Sequence, residues 1–387
     1  MEISACVKYV GVNDHQVDLF EGQYKVPNGM AYNSYVILDE KITVMDTVDG
    51  FFTEEWLNNV EQVLSGKMPD YLVIQHMEPD HSASIPAFLK KYPGTTVVST
   101  AKGFQFMEQF FPEFFAGQGL PAEQRIVAAN DGVLELGQHS LHFVYAPMVH
   151  WPEVMMTYEA TEKILFAADG FGKFGALDVE EEWTDEARRY YIGIVGKYGP
   201  QVQAVLKKAA GLDIKTICSL HGPVLTENLG FYLDKYNKWS SYQPEESGVV
   251  IAYASIYGNT RNAAEYLADV LQEKGQKTVL YDLARCDKAK AVADAFRYDR
   301  LVLAGITYNG DLFPCMRSFI EGLTERNYQN RKVAIIENGT WAPMAGKLIL
   351  GMFEKSKNLT FAETTVSIKS AMNAQNREEI KKLAEEL

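Results

Sequence analysis

The sequence predicts a two-domain α/β protein, and two patterns along the chain support this. Residues 1–245 alternate strand-like and helix-like segments irregularly, whereas residues 246–387 alternate apolar strands and amphipathic helices in a regular order. The polar segment Ser240–Gly248, which contains Pro244 and has no apolar periodicity, separates the two patterns. A length of 387 residues also exceeds that of most single domains. We therefore expect a first domain at residues 1–245 and a second at residues 246–387.

The elements of the first domain follow from short apolar runs and from helical periodicity. Runs rich in β-branched residues predict the strands Tyr35–Leu38, Ile42–Met45, Tyr71–Ile74 and Thr95–Val98. Apolar residues at three- and four-residue spacing predict helices over residues 52–64, 83–92, 182–210 and 228–239. Residues 133–168 predict consecutive strands, with turns at Gly137–Gln138 and Glu159–Thr161.

The second domain shows five strand-like runs, and a helical pattern follows each of them. The strands are Val249–Tyr253, Lys277–Tyr281, Leu301–Ala304, Val333–Ile336 and Thr360–Ser367, and the last helix is Asn373–Leu387. Parallel strands joined by helices form a sheet that is covered on both faces. The pattern therefore predicts a doubly wound parallel sheet.

Composition excludes several classes of protein. A net charge of −14 and a pI near 5.1 argue against nucleic acid or an anionic membrane as partner. No signal peptide is expected at the N-terminus, and no apolar run approaches the roughly 20 residues that span a bilayer. The cysteines are far apart and form no C-x-x-C motif, which argues against disulfides, a zinc ribbon, a rubredoxin centre and an iron–sulfur cluster. They predict reduced thiols in a cytoplasmic protein: Cys6, Cys218, Cys286 and Cys315.

The most informative motif is His76-Met77-Glu78-Pro79-Asp80-His81, directly after the predicted strand Tyr71–Ile74. Its four ligand-type side chains cannot all face one way on a strand or on a helix, so the segment must turn. Charges crowded on such a loop repel one another or remain unpaired unless a cation holds them. The alternative is a solvated polar loop, but clusters of His, Asp and Glu favour a metal site.

Three further residues extend this cluster. His150, Asp169 and His221 each lie just beyond a strand-like run, and side chains at successive strand ends can converge at one edge of a sheet. Together with the loop they predict a dinuclear metal site of seven residues. The other histidines, His15, His139 and His142, are interpreted as surface or core residues.

The loop resembles that of the metallo-β-lactamase superfamily, whose pattern is H-x-H-x-D-H, but Glu78 stands at the second histidine. This departure is typical of the flavodiiron proteins, and mixed carboxylate and imidazole sites suit redox-active iron better than zinc. The segments that begin at His150, Asp169 and His221 also resemble the family's later metal-binding segments, in the same order. The resemblance implies an αββα sandwich for the first domain.

Carried over by position, the resemblance implies one iron bound by His76, Glu78 and His150. It implies a second iron bound by Asp80, His81 and His221, with Asp169 bridging the two, and leaves open whether the His81 imidazole contacts iron. Trp151 and Glu153 are expected to support or cover the ligands, since neither stands at a ligand position.

Three loops of the second domain predict a flavin site. Ser255-Ile256-Tyr257-Gly258-Asn259-Thr260 lies between a strand and a helix, where hydroxyls and backbone N–H groups can surround a phosphate. It is neither a Walker A loop nor G-x-G-x-x-G, and alone it would be an ordinary turn. Two more loops follow the third and fourth strands and offer aromatic rings: Thr307-Tyr308-Asn309-Gly310 and Asn338-Gly339-Thr340-Trp341. All three resemble the FMN-binding loops of flavodoxin.

The flavodiiron resemblance covers essentially the whole chain. It implies reduction of O2 to water, of NO to N2O, or of both, with FMN as the immediate electron donor. Because the chain carries no iron–sulfur motif, electrons must come from a separate donor such as rubredoxin. The resemblance also implies a head-to-tail homodimer. Two alternatives remain: a zinc-dependent hydrolase with a flavodoxin-like appendage, and an electron carrier with an inert first domain.

Overall fold

Two facing sheets and a separate parallel sheet hold most strands of the protein, in a computed structural model that describes residues 3–117 and 120–387. The described residues up to Tyr190 form a first unit together with Pro200–Tyr236. Tyr191–Gly199 and Asn237–Leu387 form the second unit. The chain thus enters the second unit for the last time within a helix, and a domain boundary at residues 245 and 246 stays a prediction. Among the described residues, no helix is both long and apolar enough to cross a membrane.

The strands of the first unit form a six-stranded sheet, a five-stranded sheet and two small pairs. Numbered along the chain, they are β1 (Val7–Tyr9), β2 (Val12–Asp14), β3 (Leu19–Phe20), β4 (Tyr24–Lys25), β5 (Met30–Tyr32), β6 (Tyr35–Ile37), β7 (Thr43–Met45), β8 (Tyr71–Val73), β9 (Thr96–Ser99), β10 (Arg125–Val127), β11 (Val133–Glu135), β12 (Ser140–Tyr145), β13 (Met155–Glu159), β14 (Ile164–Phe166) and β15 (Thr216–Cys218). The six-stranded sheet has the order β1-β6-β7-β8-β9-β10, and the five-stranded sheet runs from β11 to β15 in sequence order. β2 pairs with β5, and β3 pairs with β4.

The two large sheets pack face to face around a shared apolar core. Ile37, Met45 and Val73 of one sheet lie in the same buried cluster as Phe143 and Phe166 of the other. Residues that alternate with the first set, Val36, Val44 and Leu72, are also fully buried, so the outer face of that sheet is covered too. The predicted sandwich is confirmed.

The helices that accompany these strands are shorter than the periodicity predicts in two places. They are α1 (Thr53–Leu64), α2 (Pro79–Ser82), α3 (Ile85–Lys91), α4 (Ala101–Phe110), α5 (Pro112–Gly117), α6 (Trp183–Tyr190), α7 (Gly199–Ala209) and α8 (Leu229–Ser240). The predicted helix over residues 83–92 begins only at Ile85, where Pro86 occupies the first turn.

The predicted continuous helix over residues 182–210 is wrong. A π-helical turn at Tyr191–Val195 and a 3-10 turn at Gly196–Tyr198 separate α6 from α7. Pro200 explains part of this, because it has no N–H and its ring would clash with the carbonyl four residues earlier in a continuous helix. The carbonyls of this connecting segment accept hydrogen bonds inside the second unit: Gly193 from Arg326 Nε (3.1 Å), Gly196 from Tyr242 Oη (3.0 Å) and Lys197 from Asn327 Nδ2 (2.8 Å).

The second unit is the predicted doubly wound sheet. Its strands are β16 (Glu246–Tyr253), β17 (Thr278–Asp282), β18 (Tyr298–Tyr308), β19 (Asp311–Leu312), β20 (Arg331–Asn338) and β21 (Leu359–Ile368). Its helices are α9 (Asn259–Glu273), α10 (Lys288–Arg297), α11 (Pro314–Thr324), α12 (Ala345–Met352) and α13 (Ala374–Glu386). The five long strands are all parallel in the order β17-β16-β18-β20-β21, which is the flavodoxin order. The connection before this sheet is shorter than predicted, because α8 ends at Ser240 and β16 begins at Glu246.

Candidate metal centre and cofactor pocket

The loop after β8 is held in place before its ligand-type side chains begin. The backbone N–H and the side-chain amide of Gln75 donate to the buried carboxylate of Asp46, at 2.7 and 2.8 Å. Pro79 then starts α2, and the backbone N–H and hydroxyl of Thr47 donate to the His81 carbonyl at 2.9 and 2.8 Å. Fixed at both ends, the loop turns so that its side chains can face one point.

The other predicted ligands reach this point from the five-stranded sheet. His150 lies between β12 and β13, Asp169 follows β14 and His221 follows β15. Six of the seven predicted side chains belong to buried residues, and Glu78 is half-buried. The structure therefore brings all seven together at one end of the sandwich.

The first group of side chains surrounds one oxygen of Asp169. His76 Nε2 lies 3.2 Å and His150 Nε2 lies 3.1 Å from Asp169 Oδ2. Both imidazoles also approach Glu78 Oε2, at 3.3 and 3.0 Å. His76, Glu78, His150 and Asp169 thus offer four donor atoms around one point.

The second group surrounds the other oxygen of the same carboxylate. His81 Nε2 lies 3.3 Å and His221 Nε2 lies 3.8 Å from Asp169 Oδ1. Asp80 Oδ2 is 3.3 Å from both imidazole nitrogens, which lie 3.0 Å from each other. Asp169 therefore presents one oxygen to each group.

The donor set fits metal cations. His221 Nδ1 lies 2.8 Å from the Ala31 carbonyl, which can only accept, so a neutral His221 ring presents a lone pair at Nε2. His76 is oriented in the same way by Glu153, whose Oε1 lies 2.7 Å from its Nδ1. Among the described residues, the buried carboxylate oxygens of Asp80 and Asp169 have no hydrogen-bond donor. Buried acceptors that face one another are costly unless cations lie between them.

The electrostatics of these groups support the same conclusion. Burial opposes charge on His150, but its close contacts with the carboxylates of Asp169 and Glu78 raise its pKa to about 9. Burial likewise opposes charge on His76, yet Asp169 raises the pKa of that imidazole well above its usual range. Burial would also raise the pKa of Asp169, but the charge of His76 and the close approach of the other histidines hold it well below its usual range. The carboxylates thus favour positive charge here, and metal cations supply it.

Some residues that support the centre could not be found from the sequence. Trp151 and Glu153 lie where support was predicted: the Trp151 ring is 5.3 Å from that of His76, and Glu153 holds the other side of that imidazole. Asp46 and the Ala31 carbonyl were missed. The sequence offers one weak indication of Asp46. This residue directly follows a strand-like run, and His150, Asp169 and His221 also lie at or just beyond the ends of such runs.

The second unit contains a cavity of about 470 Å³ at the carboxyl ends of its strands. All predicted flavin-loop residues except Gly258 line it: Ser255, Ile256, Tyr257, Asn259, Thr260, Thr307, Tyr308, Asn309, Gly310, Asn338, Gly339, Thr340 and Trp341. Gly258 instead shapes the loop, because its φ of +92° is one that side-chain-bearing residues rarely adopt. The sequence missed Ile306, Ala342, Met344 and Ser370, of which Ser370 follows β21 and has the same positional signal as the predicted loops.

The cavity has the two features that a flavin mononucleotide requires. The Ser255–Thr260 loop leads into α9, whose first N–H groups have no partner within a helix and can bind phosphate. The second feature is a pair of apolar ring surfaces. Tyr257 and Trp341 are 92% and 91% exposed, which is unusual for large aromatic rings. A planar ring system can stack on such side chains.

Comparison with known families agrees with this division of the chain. Residues 30–222 match the family described as ODP family beta lactamase, and residues 251–365 match the flavodoxin family. The anaerobic nitric oxide reductase flavorubredoxin of Aeromonas hydrophila is 28% identical over 350 residues, which cover 87% of this chain and 69% of that protein. An uncharacterised protein of Methanocaldococcus jannaschii is 27% identical over 326 residues, 83% of this chain and 80% of the relative.

Solved structures show the same fold over the whole chain. Rubredoxin oxygen:oxidoreductase from Desulfovibrio gigas superimposes with a TM-score of 0.91 at 25% identity, covering 100% of this chain and 96% of that one. The flavodiiron protein from Giardia intestinalis gives a TM-score of 0.91 at 26% identity with the same coverage.

Proposed function

Because this chain belongs to the flavodiiron protein family, we propose that it reduces O2 to water, NO to N2O, or both, with FMN as the immediate electron donor. One observation carries the proposal: seven ligand-type side chains converge in two groups that share Asp169, in a chain whose second unit has a flavodoxin-type pocket. The relatives named as a nitric oxide reductase and as an oxygen oxidoreductase cover both gases.

In this proposal His76, Glu78 and His150 hold one iron, Asp80, His81 and His221 hold the other, and Asp169 bridges them. Bound iron would supply open coordination positions and redox chemistry for the gas, and bound FMN would supply its electrons. Glu78 favours iron over zinc, because mixed carboxylate and imidazole sites suit redox-active iron. The close approach of His81 Nε2 to Asp169, Asp80 and His221 supports a ligand role for His81 as well.

The surrounding residues fix the ligands in their orientation. Glu153 accepts from His76 Nδ1 and from the Met77 N–H (2.9 Å), so it holds both the ring and its loop. The Ala31 carbonyl holds His221. The Trp151 ring packs edge-to-face against the imidazoles of His76 and His150, with ring centroids at 5.3 and 6.1 Å. Mutation of such supporting residues typically lowers metal affinity or activity about 10- to 100-fold.

In the flavin pocket, the Ser255–Thr260 loop would hold the FMN phosphate, and Trp341 with Tyr308 would flank the ring. The loops are tied to each other: Thr307 Oγ1 accepts from the Met344 N–H (2.8 Å), and Ser370 Oγ donates to Thr340 Oγ1 (3.0 Å). These bonds set the spacing of the pocket walls.

The electron source would be a separate protein such as rubredoxin, and the location would be the cytoplasm. All four cysteines are free, and the groups of metal-ligating residues include only one of them, Cys6. No described cysteine set could therefore hold an additional iron–sulfur centre, and free thiols agree with a reducing compartment.

The experiment measures metals, flavin and gas turnover in one preparation. The protein expressed with adequate iron should contain two irons and one FMN per chain. It should consume NO anaerobically, or O2, when reduced rubredoxin is the donor, and the ratio of the two rates gives the preference. A zinc-loaded protein that hydrolyses ester or lactam substrates and consumes neither gas would support the hydrolase alternative. Flavin reduction by rubredoxin without gas consumption would support the electron carrier.

We also propose that the working unit is a head-to-tail homodimer, in which the FMN of one chain serves the metal centre of the other. Its support is the family resemblance. The test exchanges subunits between an iron-site variant, Glu78→Ala, and a flavin-site variant, Asn259→Ala with Thr260→Ala. A mixed dimer would unite one intact FMN with one intact metal centre across chains. Recovered activity would support the path between chains, whereas inactive heterodimers or a fully active monomer would contradict it.

A further inference from the structure

A second cluster of metal-ligating side chains lies in the first unit, apart from the seven-residue centre. One donor atom each of Cys6, His139 and Glu162 lies within 4.8 Å of the other two. Cys6 directly precedes β1 of the six-stranded sheet, whereas His139 and Glu162 lie in the turns after β11 and β13 of the five-stranded sheet. The cluster thus joins the two layers of the sandwich.

His139 is oriented in the way that metal-binding histidines usually are. Its residue is 5% exposed, and its Nδ1 lies 2.8 Å from Asp39 Oδ2. The same carboxylate accepts from the backbone N–H groups of Glu40 (2.7 Å), Gln138 (2.9 Å) and His139 (2.7 Å). A carboxylate that is fixed by three backbone donors can hold the His139 ring with Nδ1 protonated. Nε2 is then the nitrogen available for a metal.

The other two members of the cluster, Cys6 and Glu162, are held by the hydroxyl of Ser4. Ser4 Oγ donates to Glu162 Oε2 and accepts from the N–H groups of Cys6 (3.2 Å) and Val7 (3.0 Å). Glu162 N–H in turn donates to the buried carboxylate of Glu159, at 2.7 Å. Cys6 and Glu162 are therefore positioned by the same hydroxyl.

The charge around Cys6 favours a cation over a reactive thiol. Three carboxylates, those of Glu162, Asp39 and Glu159, act electrostatically on the Cys6 sulfur, and the ammonium of Lys8 opposes them. Negative surroundings of this kind disfavour a nucleophilic thiolate, although Cys6, His139 and Asp39 superficially resemble a catalytic triad. A divalent cation would balance this negative charge, and a thiol that coordinates such a cation is deprotonated.

We propose that Cys6, His139 and Glu162 form a mononuclear zinc site that fastens the two sheets of the first unit to each other. Thiolate, imidazole and carboxylate are the three ligand types of zinc. Three protein ligands leave the fourth tetrahedral position to water or another small ligand. The site is independent of the proposed gas chemistry, and it differs from the seven-residue centre in containing a cysteine.

The experiment uses the full-length protein loaded with iron and FMN, equilibrated with Zn²⁺ and then dialysed. Elemental analysis should find about one retained zinc per chain, and zinc K-edge X-ray absorption should show one sulfur neighbour at about 2.3 Å. The sulfur signal is diagnostic, because none of the seven residues of the other centre is a cysteine. Zinc that had entered that centre would have nitrogen and oxygen neighbours alone.

Two variants and one control complete the test. Cys6→Ser should remove the sulfur signal and lower zinc affinity at least tenfold, with unchanged iron content and circular dichroism as checks of folding. Asp39→Asn should lower zinc affinity about 10- to 100-fold and keep the sulfur signal. Cys286→Ser, a half-buried cysteine of the second unit, should change nothing. Retention of no zinc, zinc without a sulfur neighbour, or wild-type affinity in Cys6→Ser would overturn the proposal.

Discussion

The metal centre and the flavin pocket present different kinds of atoms to their cofactors. At the metal centre, side-chain nitrogens and oxygens face inward, and six of the seven residues are buried. At the pocket, loop backbone and rings as exposed as Tyr257 and Trp341 form the walls. The metal centre depends on the chemical type of its side chains and on hydrogen bonds to Glu153 and Ala31 that orient two of them. The pocket depends on where the strands end and on how the loops turn.

This difference predicts unequal responses to mutation. In the proposed assignment, no neighbour can replace a lost side chain of the metal centre, because every other donor atom already has its own coordination position. Residues of several loops line the flavin pocket together, so the loss of one side chain leaves the contacts that the other loops make with the flavin. Variants in the two regions should therefore differ in size of effect and should leave the other region's cofactor unchanged.

The largest effect is expected from Asp169→Ala, because both groups of ligands lose their shared carboxylate. Iron content should fall and gas reduction should drop to background, while FMN stays bound. The control is Asp213→Ala, whose exposed carboxylate pairs with Lys163 and should contribute little to stability. Metal and flavin analyses of both variants check this. Full iron occupancy and activity in Asp169→Ala would show that the ligand assignment is wrong.

A smaller effect on the same centre is expected from Glu153→Gln. The amide keeps the shape of the side chain but weakens its hydrogen bond to His76 Nδ1, so iron affinity should fall about 10- to 100-fold. Competition with a chelator measures the affinity, and FMN content should not change. Glu123→Gln, at an exposed position, is the matched control. Equal affinities in the two variants would mean that Glu153 does not support the metal.

Gly258→Ala tests whether the pocket depends on backbone shape. Apart from Gly258 and its two chain neighbours, no described residue has an atom within 4 Å of an added Cβ, so the cost comes from the φ of +92° and should be about 1–2 kcal/mol of unfolding free energy. Urea denaturation of the FMN-free protein measures it. Gly351→Ala, in α12 with equally open surroundings and no positive φ, should be neutral or stabilising by up to about 1 kcal/mol. If both substitutions changed the unfolding free energy by the same amount, the positive φ of Gly258 would have no special cost.

The smallest effect is expected from Trp341→Ala. Loss of one stacking ring should weaken FMN binding by about 0.5–1.5 kcal/mol, or roughly two- to tenfold, and should leave protein stability unchanged because the ring is 91% exposed. Fluorescence titration with FMN measures the change. Phe51→Ala, a 97% exposed ring of the first unit, controls for general effects of removing a surface aromatic. Unchanged FMN affinity would show that Trp341 is not a wall of the flavin site.

The sequence predicted the residues of the flavin pocket more completely than the residues that support the metal centre, and the reason is physical. Strand ends locate the pocket, because parallel strands joined by helices place every βα loop at one edge, and nearly all lining residues followed from that rule. The candidate ligands of the metal centre were visible as residue types, and Trp151 and Glu153 were predicted as supports, but Asp46 and the Ala31 carbonyl were not. Ala31 and His221 are 190 residues apart, and Asp39 and His139 are 100 residues apart, so no local pattern connects them. The break between α6 and α7 was missed because helical periodicity continues through it.

The break between α6 and α7 affects how the two units could be exchanged between genes. The chain moves into the second unit at Tyr191, returns at Pro200 and leaves again after Tyr236, so each unit is encoded by two separate stretches. A gene fragment that starts at codon 246 would lack Tyr242, and it would also lack the carbonyls of Gly193 and Lys197 that Arg326 and Asn327 bond. Exchange of the flavin-binding half with another protein would therefore require two coordinated replacements, and a single crossover would deliver an incomplete module.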